Sequence, residues 1–169
     1  MDAAELRAMQ APIKDRYKTD PSAAIITLKA KGSIENEGIA CKVETGRALA
    51  VAGLHPATGG SGLELCSGDM LLEALVACAG VTLKSVATAV EVPLTSGNVI
   101  AEGDLDFRGT LGVDKEAPVG FAEIRLRFEV GTDAPQDKLD LLLKLTERYC
   151  VVYQTIKNGP KVSVSMKRV

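Results

Sequence analysis

One segment of the sequence, residues 67–91 (SGDMLLEALVACAGVTLKSVATAVE), constrains the fold more than any other. Ser67 is a candidate N-cap, and Asp69 places a carboxylate in the first turn, where the helix dipole favours a negative charge. Further along, its only interior charges are Glu73 and Lys84. The segment therefore predicts one long helix that is apolar on nearly every side and is buried all round at the centre of the protein.

This helix is not predicted to span a membrane. The uncharged run between Glu73 and Lys84 has ten residues, and about 20 are needed to cross a bilayer. The N-terminal residues 1–20 contain no apolar stretch like that of a signal peptide, so we expect a cytoplasmic protein. The 169 residues predict a single domain, 1–169. With 20 basic and 22 acidic residues and no basic run, nucleic acid is not an expected partner.

The N-terminal residues 1–22 are predicted to form a helical extension of this domain. Within them, residues 3–18 repeat apolar positions at spacings of three and four, which is typical of an amphipathic helix. Pro12 is expected to break this helix into two shorter ones. The apolar stripe would pack either on its own domain or on a partner subunit.

In the rest of the chain, apolar and polar residues alternate as they do in β-strands. Three strands are predicted before the long helix, two after it and one at the end of the chain, at residues 24–31, 38–45, 47–52, 98–108, 121–130 and 161–167. Turns or loops are expected at residues 33–38, 55–65 and 109–120. A second helix begins near Pro135, reaches at least Cys150 and ends before Asn158-Gly159-Pro160. Because the strands are grouped, we predict an α+β fold with antiparallel sheets.

Four cysteines and one histidine are the residues with the most reactive side chains. In a cytoplasmic chain the cysteines should be reduced at rest, so any disulfide would be catalytic or sensory. No two cysteines have zinc-site spacing, and neither a metal nor a cofactor is expected. Cys41 is predicted to be a small buried residue, Cys66 to be structural, and His55 to be a loop residue rather than a base. On spacing alone, Cys78 and Cys150 are most simply two buried, inert thiols.

Several stretches taken together resemble the osmotically inducible protein C (OsmC) family, which includes the organic hydroperoxide resistance proteins. They are LLEALVACAGVTLKSVATAV, DLDFRGTLG, AEIRLRFEV and LTERYCVVYQTI with the strand that follows it. The likeness extends from about Ala24 to Val169, and its most specific part is the pair Cys78 and Cys150, 72 residues apart. The resemblance implies an OsmC-like α+β fold made by two intertwined subunits, with two active sites at the dimer interface.

The resemblance also implies an activity, that of a thiol-dependent peroxidase in the oxidative stress response. Cys78 matches the family's peroxidatic cysteine, and Cys150 matches its resolving cysteine. The Cys78 thiolate would attack the O–O bond of a small apolar hydroperoxide, become a sulfenic acid and condense with Cys150. A dithiol reductant would then restore the pair.

The sequence departs from the family pattern ahead of the long helix. The family usually has Asn-Pro-Glu there, and its glutamate helps to hold an arginine that activates the thiolate. The aligned positions here are residues 66–68, Cys-Ser-Gly, and only Lys31 and Arg47 are candidates for the cation. Val151 stands where many members have proline. Because Cys78 is too far into its helix to use that helix's dipole, we expect a nearby cation from this chain or its partner.

Two other functions are compatible with the sequence. The first is a non-catalytic, dimeric OsmC-like stress protein that binds a small apolar ligand. The second is a thiol hydrolase, which would need His55 beside Cys78. The distance between Cys78 and Cys150, together with the groups around Cys78, separates these functions.

Overall fold

The computed structural model describes residues 2–20, 31–34, 40–44, 49–112 and 114–168. Its helices are α1 (Ala3–Thr19), α2 (Ser67–Ala89), α3 (Phe107–Thr110), α4 (Gln136–Tyr149) and α5 (Val151–Asn158). Its strands are β1 (Lys31–Ile34), β2 (Ala40–Glu44), β3 (Leu49–Gly53), β4 (Leu65–Cys66), β5 (Ser96–Leu105) and β6 (Phe121–Gly131). Helices and small sheets are mixed as in an α+β fold, which confirms the predicted class.

The strands form two sheets. The first has the order β1-β2-β3-β4, and the second pairs β5 with β6. The pairs are antiparallel, as predicted, except that the two-residue strand β4 runs parallel to β3. In the second sheet Val99 lies opposite Phe128 and Ala101 lies opposite Leu126. These side chains face α2 and the helices that follow, so this sheet covers one side of the site described below.

Helix α2 is the centre of the fold, but it is not buried all round as predicted. Its buried residues lie on one side, where α1, α4, α5 and β5 pack, and they are Leu75, Ala79, Leu83, Val86 and Ala87. On the opposite side Val81 is 74% exposed, and Ala77, about one turn earlier on the same face, is also exposed. The described elements pack on only one side of α2. By length and composition, α2 is also the one helix in the described ranges that is apolar enough to cross a membrane, a property that core helices of soluble proteins share.

The two ends of α2 differ slightly from the prediction. Ser67 is the first helical residue rather than the N-cap; the cap is Cys66, which makes no side-chain capping bond. The predicted N-terminal helix is present as α1 and packs against α2 of the same chain. The expected break at Pro12 was wrong, because α1 runs through it as a single helix. Proline removes one main-chain donor, and here that loss does not divide the helix.

Several predicted strand boundaries are corrected. The strand at 24–31 lies outside the described residues except for Lys31, and Ser33, predicted to be in a turn, belongs to β1. The strand predicted to reach Arg108 ends at Leu105. The Asp106 carboxylate accepts a 3.0 Å hydrogen bond from the Arg108 backbone N–H and caps the short helix α3, which turns the chain away from the sheet.

The C-terminal part differs most from the prediction. The second helix stops at Tyr149, and Cys150 has extended backbone angles (φ −73°, ψ 107°) between α4 and α5. The predicted final strand is absent, because no described strand pairs with residues 161–167. Its alternating apolar residues are exposed: Val162 by 76%, Val164 by 92% and Met166 by 99%. A strand needs a neighbour to hydrogen-bond with, and the described part of the chain places none beside these residues.

Candidate active site

Cys78 and Cys150 lie together in one apolar cluster between α2, α5 and the β5–β6 sheet. Leu75, Ala79 and Cys150 are its buried members, and Cys78 packs against them. Cys150 is 1% exposed, whereas Cys78 is partly exposed. Both are free thiols. The fold thus brings into contact two residues that are 72 positions apart in the sequence.

The break between α4 and α5 positions the second thiol. The Cys150 backbone N–H donates to the Thr146 carbonyl (3.0 Å), and its own carbonyl accepts from the Gln154 N–H (2.9 Å). Cys150 is therefore the last hydrogen-bonded link of α4 and the N-cap of α5. The first N–H groups of a helix have no partner within it, so those of α5 are available to atoms in front of the helix. The two sulfurs occupy that position.

The surroundings of Cys78 favour its thiolate. Partial burial alone would raise the pKa of Cys78, but four hydrogen bonds outweigh it and the net pKa is lowered. The Val152 backbone N–H, the Cys150 thiol, the Val151 backbone N–H and the Thr82 hydroxyl donate these bonds. None of the four donors is a cation. Hydrogen bonds to the charged form of an acid stabilise that form and lower its pKa.

Cys150 is shifted in the opposite direction. Its burial raises the pKa, the adjacent Cys78 raises it further, and backbone N–H groups of Tyr153 and Val152 offset only part of this effect. Cys78 is therefore the more acidic of the two thiols, and when the pair loses one proton the negative charge lies on Cys78. A partly exposed thiolate beside a buried thiol is suited to nucleophilic attack followed by disulfide formation.

The predicted activating cation stays a prediction. Arg47 and the side chain of Lys31 lie outside the described residues. Thr82 and the two backbone donors were not predicted from the sequence. Thr82 had a detectable signal, because it lies four residues after Cys78 and so on the same face of α2. The two backbone donors gave no such signal in the sequence, because side-chain identity does not mark a main-chain N–H group.

A mostly apolar cavity of about 400 Å³ lies beside the cluster that contains this pair, although neither cysteine lines it. Most of its lining belongs to the same cluster: Leu75, Ile124, Leu126, Phe128, Tyr153 and Ile156. Glu147 and Lys157 contribute polar groups, and the Lys157 ammonium lies 3.4 Å from the Tyr153 hydroxyl. The cavity can hold a small, mostly apolar molecule beside the cluster that contains the two cysteines.

His55 and Cys66 lie elsewhere, in a separate cavity of about 340 Å³ at the N-terminal end of α2. The His55 Nδ1 accepts a 3.0 Å hydrogen bond from the Ala57 N–H, and its ring stacks on Phe107 with centroids 4.9 Å apart. His55 is thus a loop residue that caps a short 3₁₀ helix, as predicted for a structural role. Cys78 is twelve residues beyond Cys66, about 18 Å along the helix, so the arrangement that a thiol hydrolase would need is not formed.

The remaining candidate residues add no further centre. The Cys41 side chain lies outside the described residues, so its predicted burial is untested. Within the ranges that the structure describes, no three His, Cys, Asp or Glu side chains converge as a metal site would require. The chemistry of the described site therefore depends on the two cysteines and the groups that surround them.

Comparison with models of protein families shows which family this chain belongs to. The model of the family described as OsmC-like protein matches residues 60–165, a range that contains both cysteines. The chain belongs to the OsmC-like family. This confirms the resemblance seen in the sequence. None of the curated proteins with which the sequence was compared matches this OsmC-like chain.

Solved structures share the OsmC-like fold at low sequence identity. An OsmC-like protein from Mycoplasma pneumoniae is 14% identical with a TM-score of 0.65, over 79% of this chain and 89% of the other. A Legionella pneumophila organic hydroperoxide resistance protein is 16% identical (TM-score 0.61; 80% and 92% covered). One from Elizabethkingia anophelis is 14% identical (TM-score 0.62; 80% and 91% covered). At such identities the likeness shows the fold.

Proposed function

We propose that this OsmC-like chain is a thiol-dependent peroxidase that reduces organic hydroperoxides. The observation that carries the proposal is the packing of Cys78 with Cys150 in one cluster, where the pKa of Cys78 is lowered and that of Cys150 is raised. A peroxidatic and a resolving cysteine need this division of roles. Relatives of the same fold are named organic hydroperoxide resistance proteins, which supports the assignment.

The proposed reaction has three steps. The Cys78 thiolate attacks the distal oxygen of ROOH, the O–O bond breaks, and RO⁻ leaves and takes a proton to become ROH. Cys78 is then a sulfenic acid. The Cys150 sulfur attacks the Cys78 sulfur, a disulfide forms, and the hydroxyl leaves as water after protonation. A dithiol reductant finally donates two electrons and two protons to restore both thiols.

The cavity beside the pair supports an apolar hydroperoxide as substrate. Its lining is mostly aliphatic and aromatic, so a bulky organic group gains by burial there, whereas hydrogen peroxide has no group to bury. We place the protein in the cytoplasm, where reduced thiols are maintained. In this proposal its partners are the hydroperoxide, the dithiol reductant and a second copy of the chain, with neither nucleic acid nor membrane involved.

Two exposed features support a homodimer. Val81 and Ala77 leave an apolar face of α2 uncovered, and residues 161–167 alternate apolar and polar side chains with no described strand beside them. Apolar surfaces of this kind mark protein–protein contacts. A second copy would cover the helix face and offer sheet edges to the C-terminal residues.

The test is mass spectrometry after reaction with one equivalent of cumene hydroperoxide. We expect the wild-type chain to lose two hydrogen atoms and the cross-linked peptides to contain Cys78 and Cys150. Cys78→Ser is the matched control and should stay unmodified at residue 150. A wild-type protein that stays fully reduced, or that links Cys41 or Cys66, would contradict the proposal.

A second candidate function is supported by the same cavity. An apolar space of about 400 Å³ suits the storage or transport of a small apolar ligand without chemistry. The experiment above separates the two functions, because a binding protein would remain reduced in cumene hydroperoxide. Retention of a small apolar dye by the reduced protein and by Cys78→Ser would then favour the binding function.

A further inference from the structure

The first turn of α5 faces two sulfurs at once. Cys78, Val152 and Tyr153 pack against the cluster that contains the buried Cys150. The Val151 and Val152 N–H groups lower the pKa of Cys78, and the Tyr153 and Val152 N–H groups oppose the rise in the pKa of Cys150. These are the first three amides of the helix, which have no carbonyl partner within it. Cys150 is almost completely buried in front of them. The Val152 N–H is therefore shared between the two sulfurs.

We propose that the first turn of α5 is an anion hole that serves the two cysteines in sequence. Val151 and Val152 stabilise the Cys78 thiolate before the attack on the peroxide. Val152 and Tyr153 then stabilise the Cys150 thiolate during resolution. This inference rests on the proposed peroxidase function, and it identifies backbone groups that replace or supplement the activating cation expected from the family pattern.

Charge balance explains the order of the two stages. While Cys78 is a thiolate, its negative charge opposes a second charge on Cys150, which keeps its proton and donates it in a hydrogen bond. Reaction with ROOH gives RO⁻, which takes up a proton, and a neutral sulfenic acid on Cys78. The opposing charge is then gone, and the Val152 N–H no longer faces an anion at Cys78. Cys150 can lose its proton to solvent, attack Cys78 and release hydroxide, which is protonated to water.

Val151→Pro tests the first stage with little other change. Proline lacks the N–H group, and it is well tolerated at the first position of a helix. The preceding residue, Cys150, already has the extended backbone that a following proline prefers. The Val151 side chain is 68% exposed, so its replacement removes little packing. The substitution thus removes one donor to Cys78 and keeps those to Cys150.

The primary measurement is the pH dependence of Cys78 alkylation in the reduced protein, read by peptide mass spectrometry. We expect Val151→Pro to raise the midpoint by about one to two pH units, the effect of losing one hydrogen bond to a charged group. Gln136→Pro is the matched control, since it places proline at the first position of α4, away from both sulfurs, and should leave the midpoint unchanged. Val151→Ala keeps the N–H and should shift the midpoint much less than Val151→Pro.

The second measurement follows the two stages separately by trapping the sulfenic acid with dimedone. Val151→Pro should slow formation of the sulfenic acid near neutral pH and leave its conversion to the disulfide unchanged. If the alkylation midpoint is unchanged in Val151→Pro, or rises equally in Gln136→Pro, the anion hole is overturned. If Val151→Pro slows sulfenic acid formation and disulfide formation equally, its use in two successive stages is overturned. Alkylation requires no peroxide, so it tests the anion hole separately from the peroxidase activity. A wild-type protein with a lowered midpoint that does not reduce peroxide would refute the peroxidase and leave the anion hole intact.

Discussion

Cys78 packs with the buried Cys150 where α2, α4 and α5 meet, and a hydrogen bond from the Cys150 thiol is one of the causes that lower the pKa of Cys78. Cys150 is buried and its pKa is raised, so Cys78, which is partly exposed, is the more acidic thiol. The exposed member of the pair is thus the one prepared for nucleophilic attack. Two inert thiols in the core would not need one to be more acidic than the other.

Removal of the Cys150 donor should make Cys78 a weaker acid. The pKa of Cys78 is lowered partly by this bond, so Cys150→Ala should move the alkylation midpoint of Cys78 to higher pH. In the wild type, the midpoint should lie below the ordinary thiol value of about 8.5. Cys66→Ala is the control, because Cys66 lies in the other cavity. A wild-type midpoint above the ordinary value would contradict an activated Cys78.

The two cysteine variants should fail in different ways. Cys78→Ser should abolish reaction with cumene hydroperoxide, because the nucleophile is lost. Cys150→Ser should consume about one equivalent and then stop as a sulfenic acid or oxidise further. Peroxide consumption and intact mass measure both outcomes. Equal turnover by Cys150→Ser and the wild type, in the presence of a dithiol, would show that Cys150 does not resolve.

The exposed face of α2 should hold the proposed dimer together. Val81→Asp introduces a charge where an apolar contact is expected, so sedimentation should show a shift from dimer to monomer at micromolar concentration. Leu63→Asp is the control, because Leu63 is 91% exposed in a loop and lies away from this face. A wild-type chain that is itself a stable folded monomer at that concentration would refute the dimer.

The core around α2 and α4 gives a prediction that is independent of function. Leu142 is 2% exposed and packs against Leu83 and Val86, so Leu142→Ala should lower the free energy of unfolding by about 2–5 kcal/mol. Leu143→Ala, one residue along at a 46% exposed position, should cost less than about 1.5 kcal/mol. Chemical denaturation measures both. Equal losses would show that α4 packs through a different face.

Local patterns in the sequence predicted much of the fold. Ile124, Leu126 and Phe128 alternate with charged residues, and β6 turns these three toward the core. The apolar composition of residues 67–91 likewise predicted α2. Its exposed face was missed because composition shows that a surface is apolar but not which chain covers it.

The break at Cys150 was missed because no glycine or proline marks it. The stretch from Tyr149 to Val152 continues a helical pattern, and the interruption falls at Cys150, which is buried in the core cluster. The donors at Val151 and Val152 are main-chain atoms, which every residue except proline possesses. A cysteine pair in the sequence therefore indicated the site, while the means of activating it became visible only in three dimensions.

The contact between the two cysteines also has a consequence for unfolding. A bond between residues 78 and 150 closes a loop of about 70 residues, which in a chain-entropy model restricts the unfolded chain by about 4 kcal/mol. The oxidised protein would then melt at a higher temperature than the reduced one. A molecule that has reacted with an oxidant would therefore resist heat and proteases more than a reduced molecule does, and the reductant would remove this difference.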